Sequence, residues 1–268
     1  MFNKMYAFIK RDVTIATSYK LSFFLRFFGM FFSILVFYFI DKLFGSTATP
    51  YLQAYGGDYF SFVLIGIAFT SFLWAGLKSF SKVIRRGQMM GTLEAMLITP
   101  TRISTIILFS SIWSFIATSV TALLYLAIGG LFFGVDLGHA NILSTAIVLV
   151  LTIIAFSSFG ILSASFIMIY KEGDPINWLF SSSSSLLGGV FFPIEVMPEW
   201  LQHISKILPI TYSLDAMRLA ILKGYAPAAL THDILPLIGF SAIVMPLAIV
   251  SFYLAVNKAK MNGSLTHY

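Results

Sequence analysis

Five serines in succession, residues 181–185, are the side chains in this sequence best suited to covalent chemistry. A serine hydroxyl becomes a nucleophile only with a base in hydrogen-bond reach and a third group orienting that base. The four histidines, His139, His203, His232 and His267, fall at the boundaries of apolar runs or in the tail. None lies inside another apolar run, and no G-x-S-x-G stretch occurs. The histidines lack metal-ligand spacing, there is no H-E-x-x-H, and there are no cysteines. No Gly-Lys pair occurs, which excludes a phosphate loop of the G-x-x-x-x-G-K-[ST] type. The serine run leads through Gly188-Gly189 toward Phe191-Phe192. It suits close helix packing or the polar lining of a path better than catalysis. No catalytic residue, no metal site and no nucleic-acid partner is expected.

The elements that would position these residues are set by lipid. The chain has 268 residues, 58% of them hydrophobic and 10% charged, with a mean hydropathy of +0.90. Soluble domains carry about 25% charged residues, so this surface is built for a bilayer. Apolar runs over residues 21–40, 59–77, 103–135, 140–170, 175–194 and 234–257 predict six transmembrane helices. The third and fourth are long enough to tilt. The runs do not alternate as barrel strands do. The expected fold is an all-α membrane protein with one domain over 1–268. The first run ends at Asp41 without a small-residue cleavage pattern, so Met1 is expected to be the mature start.

Six crossings put both termini on one side. Thirteen of the 17 basic residues fall there, leaving Lys42, Lys206, Arg218 and Lys223 opposite, with seven acids. The positive-inside rule makes both termini cytoplasmic and the protein multi-pass in the cell (inner or plasma) membrane. The middle of every crossing lacks ionisable groups, whereas ion-coupled transporters place them there. Arg26 lies near a cytoplasmic end and can snorkel. Energy for any transport must therefore enter from outside the spans.

Three segments are neither spans nor plain loops. In residues 1–20, Phe2, Met5, Tyr6, Ile9, Val13 and Ala16 recur at helical spacing, which reads as an amphipathic interfacial helix or as a basic flank that sets topology. Residues 193–224 are too apolar for a solvated loop and too charged and proline-broken for a crossing. Trp200, Ile204, Ile207 and Leu208 form a stripe there, with Gln202, His203, Ser205 and Lys206 facing away. Ser213 is placed to cap a second short helix ending at Gly224, and Asp215 and Arg218 to pair at i,i+3. The segment reads as two half-helices dipping back into the outer leaflet, or as a hairpin on the outer surface. The third segment is residues 83–102, "VIRRGQMMGTLEAMLITPTR". Gly91-Thr92 opens a run of helix formers that Thr99-Pro100 stops. Leu93, Met96 and Leu97 share one face, with Glu94 elsewhere. So short a helix needs a surface to dock on.

This stretch resembles the coupling-helix signature of ABC type-2 exporter permeases. Gly91, Thr92, Leu93, Glu94, Leu97, Thr99 and Pro100 match it, and Met96 stands near the usual leucines. Residues 192–209 resemble the family's outer F-P-x-x-x-x-P-x-W-L segment through Phe192, Pro193, Pro198, Trp200, Leu201 and Pro209. The resemblance extends over nearly the whole chain. It implies the membrane subunit of an ATP-driven exporter, moving a lipid, lipid-linked glycan or hydrophobic compound outward. Such permeases pair, here expected as a homodimer among membrane lipids, and dock a separate ABC ATPase subunit that carries ATP and Mg. No cofactor is expected in this chain. Gly91, Thr92, Leu93, Glu94, Met96, Leu97, Thr99 and Pro100 would couple to that ATPase, and Phe191, Phe192, Pro193 and Trp200 would form the extracellular gate. The alternatives are a secondary transporter, which intramembrane carboxylates would favour, and an intramembrane hydrolase using Ser182 or a neighbour.

Overall fold

The order of helices follows from where the apolar runs begin and what stops them. The computed structural model describes residues 2–18, 20–92, 103–170 and 174–261. Among them are nine α-helices: α1 (Phe2–Ser18), α2 (Lys20–Ala48), α3 (Tyr59–Met89), α4 (Ile103–Phe133), α5 (Ile142–Tyr170), α6 (Pro175–Leu187), α7 (Glu199–Ser205), α8 (Pro209–Leu222) and α9 (Thr231–Met261). The described residues contain no strand. Five helices, α2, α3, α4, α5 and α9, are long and apolar enough to cross a membrane. α3 starts where the Asp58 carboxylate accepts the Ser61 N–H at 2.8 Å, and α6 where Asp174 accepts the Asn177 N–H at 3.0 Å. Both are side-chain caps on helix-end donors that lack intrahelical partners.

Contacts at the two ends of the bundle give the direction of each helix. At one end, called the lid end, Ile34 of α2, Phe60 and Leu64 of α3, and Ile128 of α4 form one cluster. At the other, the elbow end, Phe80 and Ile84 of α3 pack with Ile107 of α4, Ile167 of α5 and Ala255 of α9. α3, α5 and α9 therefore run parallel, and α2 and α4 run against them. α1 lies at the elbow end, where Phe8 packs 6.2 Å from Phe109 of α4. Phe8 was not in the predicted apolar stripe, while Tyr6 and Val13 of that stripe are exposed.

α3 is the centre of the bundle, buried on nearly every side, and its packing on α5 is backbone against backbone. A Cβ at Gly160 of α5 would stand 2.0 Å from the Gly76 carbonyl oxygen, and one at Gly76 would stand 2.5 Å from Phe156 Cβ. Small residues allow this approach, as in membrane helix pairs generally. α2, by contrast, exposes Phe24, Phe28, Phe32 and Phe39 along its length.

Two expectations change. The second crossing was bounded by its uncharged run at residue 77, but α3 continues to Met89. Phe80, Ile84 and Gly87 keep the buried face while Lys82, Arg85 and Arg86 point away, so residues 83–89 are helix rather than loop. The fifth crossing, expected over 175–194, is the 13-residue α6. Its length of about 20 Å falls short of a hydrocarbon core of about 30 Å. Gly188 caps it, with Ile210 of α8 2.5 Å from where a Cβ would stand, and the left-handed Gly189, at φ 70°, turns the chain out of the helix. Since α5 and α9 are parallel, residues 175–222 together return the chain to the lid end.

Candidate functional site

The elbow is built from the end of α3. Met90 is the last residue in right-handed geometry, and Gly91 follows at φ 64°. The Gly91 N–H donates to the Gln88 carbonyl at 3.1 Å, and the Thr92 N–H to the Gly87 carbonyl at 2.9 Å. This pair of bonds around a left-handed residue is a Schellman cap. It satisfies the last carbonyls of α3 and fixes the direction in which the chain leaves. No atom of the described residues lies within 4 Å of a Cβ at Gly91. Gly91→Ala is therefore a pure backbone test, expected to destabilise by about 1 kcal/mol, measured by thermal unfolding. Of the expected coupling residues, Gly91 and Thr92 are placed at this cap. Leu93, Glu94, Met96, Leu97, Thr99 and Pro100 lie outside the described residues.

The lid is built around Arg218 of α8. α7 leads into α8 through a short connection fixed by side chains: the Thr211 hydroxyl donates to the Ser205 carbonyl at 2.7 Å, and the Tyr212 hydroxyl to the Lys206 carbonyl at 2.8 Å. α8 runs antiparallel to α5. Its late residue Ala220 accepts the Asn141 N–H at 2.9 Å, while Ser213 meets Thr152, well inside α5, at 2.6 Å. The start of α8 thus lies deeper in the bundle than its end. Ser213 does not cap α8 as expected. Leu208 is the cap residue, because Pro209 starts the helix a turn earlier. Ser205 and Leu208 are buried whereas Trp200, Ile204 and Ile207 are exposed. Three of the four predicted stripe residues therefore face outward and the predicted polar face is partly inside, because the serine hydroxyl finds the Leu201 carbonyl at 3.0 Å.

Arg218 is 1% exposed. Its Nε donates to the Phe62 carbonyl at 3.1 Å, and its Nη2 to the Gly189 and Val190 carbonyls at 2.8 and 3.1 Å. The guanidinium carbon sits 3.4 Å from the centre of the Phe62 ring, a cation–π contact. Asp215, the predicted partner, stands 3.9 Å away and accepts the Tyr55 hydroxyl at 2.8 Å. Burying a guanidinium loses several kcal/mol of hydration. Three carbonyls, an aromatic face and one carboxylate restore it. A Cβ at Gly66 would meet the Val190 oxygen at 2.3 Å, so α3 is bare where the lid touches it. One side chain thereby joins α3, α8 and the loop after α6. The i,i+3 spacing revealed only the pair with Asp215. The missed signal was a lone arginine on the same face as Leu214 and Ile221.

The expected gate residues are not gathered into one cluster. Phe191 stacks on Phe37 of α2, ring centres 5.4 Å apart and nearly parallel. Phe192 is half-buried, Pro193 buried and Trp200 exposed on α7. In the serine run, Ser181 and Ser184 face the protein and Ser182 faces out. Ser181 and Ser185 donate to the Trp178 and Ser181 carbonyls of their own helix. Of the described histidines, none bonds a serine.

Comparison with known proteins agrees with this architecture. The ABC-2 type transporter family matches residues 4–222. The chain is similar to a putative transport permease, ycf38, of Cyanophora paradoxa, 28% identical over 60% of this chain and 56% of that protein. It is similar to nodulation protein J of Rhizobium leguminosarum bv. trifolii, 28% identical over 67% of this chain and 73% of that one. A probable multidrug ABC transporter permease, YbhR, of Escherichia coli (strain K12) is 25% identical over 59% of this chain and 43% of that protein. The first of these matches thus spans little more than half of its relative. With a family match over residues 4–222 and five helices of membrane-crossing length, this multi-pass membrane chain belongs to the ABC-2 type transporter family.

Proposed function

We propose that the chain is the membrane-spanning subunit of an ATP-driven exporter, with its elbow end in the cytoplasm and its lid end outside. The observation that carries the reading is that α3 runs from one functional end to the other. Its last turn is the Gly91 cap from which the coupling motif departs. Its first turns hold Arg218 and the lid. ATP and Mg belong to a separate ATPase chain, in whose cleft residues 93–100 dock and Glu94 meets a basic or polar group. A second permease copy completes the path. ATP binding moves the two copies as near-rigid bodies, and the lid, with Phe191, Phe192, Pro193 and Trp200, opens the outer side. The cargo class is a lipid, a lipid-linked glycan or a hydrophobic compound, in keeping with spans free of ionisable groups.

Reconstitution with a partner ATPase tests this. Glu94→Ala combined with Leu97→Ala is expected to weaken ATPase binding by about tenfold or more and to abolish stimulation of its hydrolysis. Unchanged binding and hydrolysis overturn the coupling role.

A further inference from the structure

A cavity of 530 Å³ lies between α1, α2, α3 and α4 at the elbow end, beside the Gly91 turn, whose neighbours Met90 and Thr92 belong to its lining. Its lining brings together Arg26 of α2 and Lys82 and Arg86 of α3, from separate helices. The remaining charged pair, Arg11 and Asp12 of α1, is internally neutralised at 2.8 Å. Net charge inside the cavity is therefore +3 from three side chains. The lining continues along α4 through Ser114 and Thr118, one turn apart, past Trp113. Cations at the helix ends thus give way to hydroxyls and an indole further into the bundle.

One polar atom in this lining is unsatisfied. Ser79 of α3 lines the cavity and is 7% exposed, and its buried hydroxyl oxygen has no hydrogen-bond partner among the described residues. A buried hydroxyl left unpaired is destabilising by about 1–3 kcal/mol, so a group that bonds to it is favoured. Two arginines, a lysine and a hydroxyl donor suit an anion with several acceptor oxygens and up to two charges.

We propose that this cavity binds the phosphate headgroup of an amphiphile from the adjoining leaflet, with Arg26, Lys82, Arg86 and Ser79 on the phosphate oxygens. The position of the cations decides for an amphiphile over a free anion. They sit at the ends of helices of membrane-crossing length, at the level of headgroup phosphates. The cavity then runs inward along a semi-polar face where a glycerol or first sugar fits. The binding needs no ATPase, so its failure and the failure of the export reading are separate results.

The test titrates the full chain in detergent with dihexanoyl phosphatidate, dihexanoyl phosphatidylcholine and inorganic phosphate, counting bound molecules by native mass spectrometry. One phosphatidate per chain is expected, bound at least about tenfold more tightly than phosphatidylcholine or inorganic phosphate. Lys82→Gln with Arg86→Gln is expected to weaken phosphatidate about tenfold or more. Both side chains are exposed, so the fold survives their loss, which an unchanged unfolding midpoint verifies. Ser79→Ala is expected to weaken it a few-fold. Lys258→Gln, exposed at the end of α9 and outside the cavity, is expected to leave it unchanged. Equal affinity for phosphatidylcholine, or for the double variant, overturns the site. Equal affinity for inorganic phosphate overturns the amphiphile in favour of a free anion.

Discussion

Arg218→Ala is expected to lower the unfolding midpoint of the purified protein by roughly 10 °C, equivalent to about 3–5 kcal/mol. The variant strips the donor from the Gly189 and Val190 carbonyls and leaves Asp215 with only the Tyr55 hydroxyl. It also empties the space against the Phe62 ring. Each orphaned carbonyl contributes about 1–3 kcal/mol. Asp215 contributes less than a fully buried partner would, since its side chain is 29% exposed. Arg218→Lys separates charge from shape. An ammonium keeps the attraction to Asp215 but cannot reach the Phe62 carbonyl and the Gly189 and Val190 carbonyls at once. It is expected to recover less than half of the loss. A midpoint for Arg218→Ala within about 2 °C of the parent shows that the guanidinium does not hold the lid.

The second large effect lies where α3 crosses α5. Gly160→Val is expected to destabilise by about 3 kcal/mol, and Gly160→Ala by most of that. The obstacle at 2.0 Å is the carbonyl oxygen of Gly76, and no rotamer change moves a backbone. The helices must separate instead, which disturbs Phe156 and the core cluster around it. Gly239 of α9 supplies the comparison, because nothing lies within 4 Å of its Cβ. Gly239→Ala is expected to be neutral or stabilising by up to about 1 kcal/mol through helix propensity and unfolded-chain entropy. If Gly160→Ala behaves like Gly239→Ala in thermal unfolding, the crossing is looser than its geometry states.

Much of this fold is legible in the sequence because lipid imposes one rule, an uncharged run of sufficient length. α4 and α5 follow their runs to within two residues. α3 outruns its own because a charged helix face satisfies the same backbone as an apolar one. The 3.6-residue recurrence of Phe80, Ile84 and Gly87 was readable where composition was not. The break after α6 was hidden. Gly188-Gly189 is compatible with a continuous membrane helix, and only the backbone angle of Gly189, φ 70°, shows that the chain leaves it there. The elbow was foreseeable from Gly91, since a glycine after a helical run marks a left-handed cap. The lid's anchor was not. The carbonyls that hold Arg218 come from residues 28, 29 and 156 positions away. A backbone acceptor leaves no trace in residue type.

α3 holds 31 residues without a proline, whereas α9 carries Pro236 and Pro246 inside it. At 1.5 Å per residue α3 is about 46 Å long. Tilting an unhinged rod of that length by about 5° shifts one end about 4 Å relative to the other. The Schellman cap clamps one end, and Arg218 bolts the lid to the other. Between elbow and lid α3 offers no proline at which such a tilt would be absorbed as a kink.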